Sequence, residues 1–450
     1  MENTVSYKIK IKGYNGIFQD TLDIYHSAVD GIIKVCLDHY DQIEAFGNQT
    51  DKLNYMESLI HTTKTHTAVC DFDKQFHKFP SYLRRAAAKD ALGKVLSYKS
   101  NLANGTKAGL PKAGYSFPTF YKDGMYKEGK NYTAMIKIYR NNDWVWLPLN
   151  LRKSDVDYIR RHCSDMEQSS PTLIRRGKEW FLQFTFTETK DLVKVDPLDS
   201  LILAVDLGIN HACTCSVIDS NGTIHGRHIQ SLPEEIDRLN HAIGRIKKAQ
   251  QHGARKMPRL WAKANGYNDD IAAKTAQYIM DVAAYYNVQV IVFEHLDKGG
   301  KKRGSKKQKL HLWKACAVQD IVTCRAHALG MRFSRVNAWG TSKLAYDGSG
   351  KVLREKDANL SSYSICRFQT GKVYNCDLSA SYNIGARYFI REILKSLPVT
   401  VRLDVQAKVP ELYKRSTCTW SSLIRLHAVL VSSGCEKLSD RCIGDRLSIA

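Results

Sequence analysis

Residues 199–230 read DSLILAVDLGINHACTCSVIDSNGTIHGRHIQ. The opening stretch, 199–208, carries a continuous apolar run of strand length, the pattern of a strand buried on both faces at the centre of a sheet. Asp206 ends that run, directly after Leu203, Ala204 and Val205. Two more strands follow on either side of Asn221-Gly222, the dipeptide that best supplies a tight hairpin. Three consecutive strands with an acid at the tip of the first set the terms for everything downstream.

The next segment, PEEIDRLNHAIGRIKKAQQHG, starts on Pro and two acids and ends on basic residues and Gly, so it predicts a capped helix. A second helix is expected over roughly 268–286, then a buried strand in VQVIVFEHL, a helix over 312–329 and a strand in MRFSRV. An irregular stretch, 337–376, leads to YNCDLSASYNIGARY, residues 374–388, which opens another helix. The order β-β-β-α-α-β-α-β-(insertion)-α is that of an α/β, RNase H-like fold. Beyond it, 396–450 carries Pro398, Pro410 and one amphipathic helix in TWSSLIRLHAVLVSSG.

Three carboxylates occupy informative places. Asp206 ends the first buried strand, Glu294 ends the later one after Ile291, Val292 and Phe293, and Asp377 opens the last helix. An Asp at a helix mouth also caps orphan N–H groups. Unpaired carboxylates in apolar strands are costly to bury. When the first and fourth strands are parallel neighbours, all three acids converge, and divalent cations can neutralise them. Mg²⁺ (or Mn²⁺) takes hard oxygen ligands and keeps waters for a phosphate substrate. Two such ions about 3.5–4 Å apart activate water and stabilise the leaving oxygen of a phosphodiester.

Charge points the same way. The 450 residues hold 67 Lys and Arg against 45 Asp and Glu, a net +22, with a pI near 9.4. Such a surplus implies a polyanionic partner, nucleic acid before a membrane face. Hydrophobic content of 43% and charged content of 25% exclude a disordered chain. No apolar run approaches the ~18 residues of a membrane span, and MENTVSYKIKIKGY has no secretory core, so a cytoplasmic protein with no membrane partner is expected. The 12 cysteines show no CxxC and are expected as thiols, and the pairs Cys324/His327 and His225/His228 as packing residues.

Two basic stretches flank the acids. Residues 245–267 place Arg245, Lys247, Lys248, Arg255, Lys256, Arg259 and Lys263 around a helix end with Trp261 and Tyr267 interleaved. KGGKKRGSKKQK, 298–309, follows Glu294 and holds Lys301, Lys302 and Arg303. Contacts of this kind supply affinity and salt dependence without sequence information.

The first 195 residues carry no catalytic signature. SYKIKIKGY, AMIKIYRNNDWVWLPLNL and PTLIRRGKEWFLQFTFT alternate like strands, with turns at RNND and RRGK. Between the first and the others lies a helical block, 17–103, in which Leu83, Ala87, Leu92 and Val95 share a face while Arg84 and Arg85 lie elsewhere, in reach of nucleic acid. A small β-barrel (1–16 and 104–197) interrupted by a helical insertion (17–103) explains the order. The connecting loop, 105–132, mixes Lys with Tyr and Phe, which suits phosphate contact with base stacking and equally suits a solvated loop with anchoring aromatics.

At LAVDLGINHACTCSVIDSNG, VIVFEHL, NAWGTSKLAYDGSG and CDLSASYNIGARY the chain resembles the TnpB nucleases and their relatives, the compact type V CRISPR effectors. The resemblance is specific over 198–395 and looser over the first 195 residues. It implies a RuvC-like nuclease domain (198–336 and 377–395) with Asp206, Glu294 and Asp377 as its Mg²⁺-binding triad. It further implies RNA-guided cutting of DNA, with guide RNA and target DNA as partners, and a wedge-like barrel and recognition insertion that hold the guide and read a short adjacent motif.

The late insertion, 337–376, departs from the pattern. Relatives commonly carry two CxxC pairs there as a zinc ribbon, whereas only Cys366 and Cys376 stand here, too few for structural zinc. A degenerate ribbon without zinc is expected, with Lys343, Lys351, Arg354 and Lys356 suited to phosphate. Two other readings stay open: an unguided RNase H-like nuclease or transposase-type protein, and an RNA-guided DNA-binding protein that does not cut. The separate N-terminal lobe speaks against the first and the complete acid set against the second. Monomer and homodimer are both compatible with the sequence.

Overall fold

The computed structural model describes residues 1–13, 16–106, 108–208, 211–296, 314–354, 360 and 364–433. It divides into two compact units, Glu2–Thr189 and Met1 with Lys190–Ala450. The division falls after residue 189, where the long strand of the first unit ends.

In the first unit, β1 (Glu2–Lys12) alternates exposed and covered residues and pairs antiparallel with β7 (Glu179–Thr189) from Glu2↔Thr189 to Lys10↔Phe181. The sheet runs β2-β3-β4-β1-β7-β5, with β6 also on β7. These strands are β2 (Tyr126–Glu128), β3 (Thr133–Arg140), β4 (Asp143–Leu151), β5 (Glu167–Gln168) and β6 (Thr172–Arg176). Phe120 N donates to Pro171 O at 2.8 Å and Leu173 N to Pro118 O at 2.9 Å, so the segment entering β2 lies against β6 and the strand path returns on itself. The β3–β4 turn is made by Asn141 and Asn142, both with positive φ (50° and 57°), as a tight hairpin demands.

Between β1 and β2 come five helices: α1 (Gln19–Asp38), α2 (Tyr40–Glu44), α3 (Gln49–Ile60), α4 (Phe72–Gln75) and α5 (Ser81–Ala103). They share one apolar core with the strands, in which Leu22, Ile32, Leu83 and Val95 meet Ile136 and Phe184. A further helix, α6 (Lys153–His162), escapes sequence reading because only Val156 on it is buried, too little for an apolar stripe.

The second unit centres on a five-stranded sheet in the order β10-β9-β8-β11-β12. β8 (Leu201–Asp206), β9 (Cys213–Asp219) and β10 (Ile224–Gln230) are antiparallel, while β11 (Val290–His295) lies parallel to β8 and β12 (Arg332–Asn337) parallel to β11. This is the RNase H-like arrangement. Side chains of the central strands alternate between two cores, as a doubly covered sheet requires. Ile202, Ala204, Val290 and Val292 face α10 (Cys376–Ser396), and Leu203, Val205, Ile291 and Phe293 face α8 (Pro258–Tyr285) and α9 (Ala315–Ala328).

α7 (Pro233–Gln251) precedes α8, and α8 starts ten residues earlier than expected. The basic stretch that obscured this start is helical from Pro258, with Leu260, Trp261 and Ala264 packed on Ala242 and Ile246 of α7. At Gly385 of α10 an added Cβ would lie 2.7 Å from Ile218 Cδ1 and 3.2 Å from Ala204 Cβ, so the helix lies flush on the sheet.

Within 337–376, β13 (Leu353–Arg354), β14 (Ile365–Arg367) and β15 (Val373–Asn375) form a small antiparallel sheet. Its core is Ala345, Cys366, Phe368 and Cys376, bordered by Tyr346, Val352 and Tyr374. The tail adds α11 (Val399–Lys408) and α12 (Trp420–Ser432), whose Val405, Leu423, Leu426 and Leu430 join the core under α10. Among the described residues no helix is long and apolar enough to cross a membrane, and the ten cysteines there are all free thiols.

Candidate active site

The parallel register pairs Val205 with Phe293, so the next residue on each strand, Asp206 and Glu294, stand side by side at the carboxyl ends of β8 and β11. By the strand's two-residue period, Asp206 shares a face with Ile202 and Ala204, and Glu294 with Val290 and Val292. That is the face covered by α10, whose first turn carries Asp377. The helix cap is not Asp377 but Asn375, whose Oδ1 accepts from Asp377 N and Leu378 N, both at 2.9 Å. The Asp377 carboxylate is therefore released from the capping role that the sequence suggested.

The electrostatics follow from this convergence. Burial, then the charges of Glu294 and Asp377, push the Asp206 carboxyl well above the ordinary range, against a smaller opposing pull from Arg354. Burial also raises Glu294, opposed by a hydrogen bond from Thr341 and by the Arg387 charge. Asp377 is raised by burial and opposed by His211 and Arg354. Negative charge here is poorly compensated by the protein. Among the described residues no three His, Cys, Asp or Glu side chains form a ready metal-holding group. The donor set fits hard divalent cations in kind, all carboxylate oxygens, and without positive charge between them such groups repel.

A supporting layer surrounds the acids. Thr341 Oγ1 donates to a Glu294 carboxylate oxygen, and Gln319 Nε2 donates to the Glu294 carbonyl at 2.9 Å. Asn383, fully buried on α10, donates from Nδ2 to Thr341 O at 3.0 Å and Leu344 O at 2.9 Å, and its Oδ1 accepts from Trp420 N at 3.1 Å. Arg387, also buried, donates from Nη1 to Asn337 O and Trp339 O, each at 2.8 Å, and from Nε to Cys418 O at 3.1 Å. His211 Nδ1 meets Ser231 Oγ at 2.8 Å. None of these five residues was singled out from sequence; Thr341, His211, Asn383 and Arg387 lay inside quoted motifs, but a buried polar contact has no one-dimensional signature.

The basic residues divide. Arg245, Lys247, Lys248, Arg255, Lys256, Arg259, Lys263 and Lys343 are all exposed. Lys301, Lys302 and Arg303 lie outside the described residues. Arg84 requires correction as a nucleic-acid contact: it is buried, and its Nη1 donates to Asp73 at 2.8 Å, a structural ion pair. Arg85 is likewise engaged, with Glu57. The first unit instead offers a cleft of about 1010 Å³ lined by Lys89, Lys94, Lys112, Arg175 and Arg176, with Tyr98, Tyr115 and Tyr121 among its walls. Lys112, Tyr115 and Tyr121 come from the mixed Lys and aromatic loop. In the insertion, Cys366 and Cys376 share a hydrogen bond inside the aromatic core.

Comparison with known proteins gives two family matches. Residues 3–140 match the Aq_aa04 family, and residues 187–303 match the family described as "Probable transposase". A curated relative, "TnpB-like protein aq_aa05" of Aquifex aeolicus (strain VF5), is 26% identical over 274 residues, 54% of this chain and 85% of the relative. Among solved structures, a Cas12f1-sgRNA-target DNA complex aligns at TM-score 0.49 and 16% identity, over 73% of this chain and 75% of that one. C2c1 of Alicyclobacillus acidoterrestris with single-guide RNA aligns at TM-score 0.42 and 11% identity, over 83% and 69%. The motifs around Asp206, Glu294 and Asp377, the transposase-family match across 187–303 and the TnpB-like relative agree: this chain is similar to the TnpB proteins.

Proposed function

We propose that the protein is an RNA-guided, metal-dependent DNA endonuclease that hydrolyses phosphodiester bonds at Asp206, Glu294 and Asp377. The observation that carries this reading is the convergence of three carboxylates, from β8, β11 and α10, in which burial and the other two charges raise Asp206. A fold keeps so unfavourable a cluster for cations. Asp206, Glu294 and Asp377 would hold Mg²⁺ or Mn²⁺, and ions bound there lower the pKa of an attacking water and stabilise the departing oxygen.

The chain's own residues do the positioning. Thr341 orients the Glu294 carboxylate and Gln319 fixes its main chain. His211 and Arg354 set positive charge beside Asp377, where a phosphate would enter. The exposed basic residues 245–263 suit strand backbone. The basic, tyrosine-walled cleft of the first unit suits guide RNA and the duplex beside the target.

The test is to sequence RNA that co-purifies with the full chain expressed from its own locus, then assay a matched DNA with Mg²⁺ against Asp206→Ala. One discrete RNA, and cutting lost in the variant, is the expected result. Metal-dependent cutting of branched DNA with no RNA would leave an unguided nuclease, and RNA-directed binding without cutting a guided binder.

A further inference from the structure

β8, β11 and β12 are parallel, so the turn that follows β12 leaves the sheet at the same end as Asp206 and Glu294. Trp339 sits in that turn, two residues before Thr341, whose hydroxyl donates to Glu294. Its main chain is fixed on both sides: Trp339 N donates to Asn337 Oδ1 at 2.8 Å, and Trp339 O accepts from the buried Arg387 at 2.8 Å. Trp339 is nevertheless 60% exposed. Large aromatic surface is ordinarily covered, and here a rigid backbone presents it to solvent. Lys414 Nζ lies 6.0 Å from the ring centroid, placing a cation beside the face of the ring at the limit of cation–π attraction.

We propose that Trp339 is a stacking platform for one unpaired base of the strand delivered to the acid cluster, with Lys414 on a neighbouring phosphate. The identity of that strand as substrate rests on the nuclease reading. The chemistry suits a site that must accept any sequence, because every base offers a π-face and the phosphate is constant. A platform two residues from the Glu294 partner would set the register of the strand at the acids without reading its bases. That makes Trp339 a positioning residue.

The experiment uses the full chain with EDTA at low salt and a short single-stranded DNA carrying 2-aminopurine, whose fluorescence falls when it stacks. Wild type is expected to quench it. Trp339→Ala is expected to abolish the quenching and weaken binding about 5- to 100-fold, and Trp339→Phe to restore most of both. The alanine variant keeps the two main-chain hydrogen bonds that fix the turn, and an unchanged melting profile would verify this. Lys414→Ala is expected to keep the quenching while flattening the slope of log affinity against log salt by about 0.7.

Equal quenching by Trp339→Ala, or none by wild type, overturns the proposal. The readout needs neither metal nor cutting. If cleavage proves independent of Asp206 while the quenching pattern holds, the nuclease reading fails and the platform stands; the reverse pattern removes the platform alone.

Discussion

Replacing Asn383 with Leu tests how the site is held together. Asn383 is fully buried on α10 and its amide makes three hydrogen bonds, to the carbonyls of Thr341 and Leu344 and from the N–H of Trp420. Leucine has similar volume and no polar atom, so all three bonds go and their partners are stranded. At about 1 kcal/mol net per bond the loss is ~3 kcal/mol, rising toward ~5 kcal/mol if the stranded groups find no water. For a unit of this size each kcal/mol moves the melting point by about 2–4 °C, so the transition should fall by roughly 6–20 °C. Calorimetry on the full chain would read it, with Ser396→Ala, which loses one local bond to Ile393 O, as a one-bond control expected to fall by no more than about 2–4 °C. Thr341 would also lose one of its anchors, and Mg²⁺-dependent cutting should fall even below the melting range. A melting point within ~2 °C of wild type would refute the reasoning, because it would mean the amide is not what pins the entry of the insertion and the tail to α10.

Other perturbations act on the acids and on the packing beneath them. Carboxyls raised above their unfolded values contribute stability below the ordinary carboxylate range and lose it as pH rises through the folded values. Metal-free protein should thus lose stability as pH rises from that range toward neutrality, and Asp206→Asn should melt higher than wild type at neutral pH; an equal or lower melting point in EDTA would count against the electrostatic picture. Mg²⁺ titration should raise the melting point of wild type and hardly move that of the variant. Thr341→Val removes the hydrogen bond that lowers Glu294, so the acidic limb of the cleavage profile should move to higher pH and Thr341→Ser should bring it back; an unmoved limb would deny Thr341 its role. Gly385→Ala drives a methyl group against Ile218 and Ala204, for which overpacking costs of about 1–3 kcal/mol are expected in denaturant unfolding, with a larger proportional loss of cutting than of stability.

The second unit was legible in the sequence because its signals are local. LILAV is apolar without alternation since Ile202 and Ala204 face one core while Leu203 and Val205 face the other. Asn221-Gly222 marked the hairpin, with Gly222 at φ 85°. The acids at strand ends and a helix start could be placed because an RNase H-like order brings those ends together. What surrounds them was not legible. Asn383 and Arg387 look like ordinary polar residues of a helix until the tail folds back and presents Cys418 O and Trp420 N to them. Arg84 and Arg85 read as solvent-facing because their partners, Asp73 and Glu57, are eleven and twenty-eight residues away and on other helices. The start of α8 was hidden by its own basic residues, whose charge spoke louder than the apolar contacts of Leu260 and Trp261.

The continuity of Glu2–Thr189 as one unit has a consequence for how the protein comes into being. All strands and helices of that lobe leave the ribosome before the first acid does. The remaining acids follow at 294 and 377, and the site gains its last brace only when Trp420 emerges to meet Asn383. At elongation rates of about 5–20 residues per second, the interval between completion of the first lobe and arrival of Trp420 is roughly 10–50 s. For most of that interval a nascent chain has the whole of its first lobe, basic cleft included, while Asp377 and the helix that carries it are still to come. The order of the genetic text thus completes the basic cleft before the acid cluster.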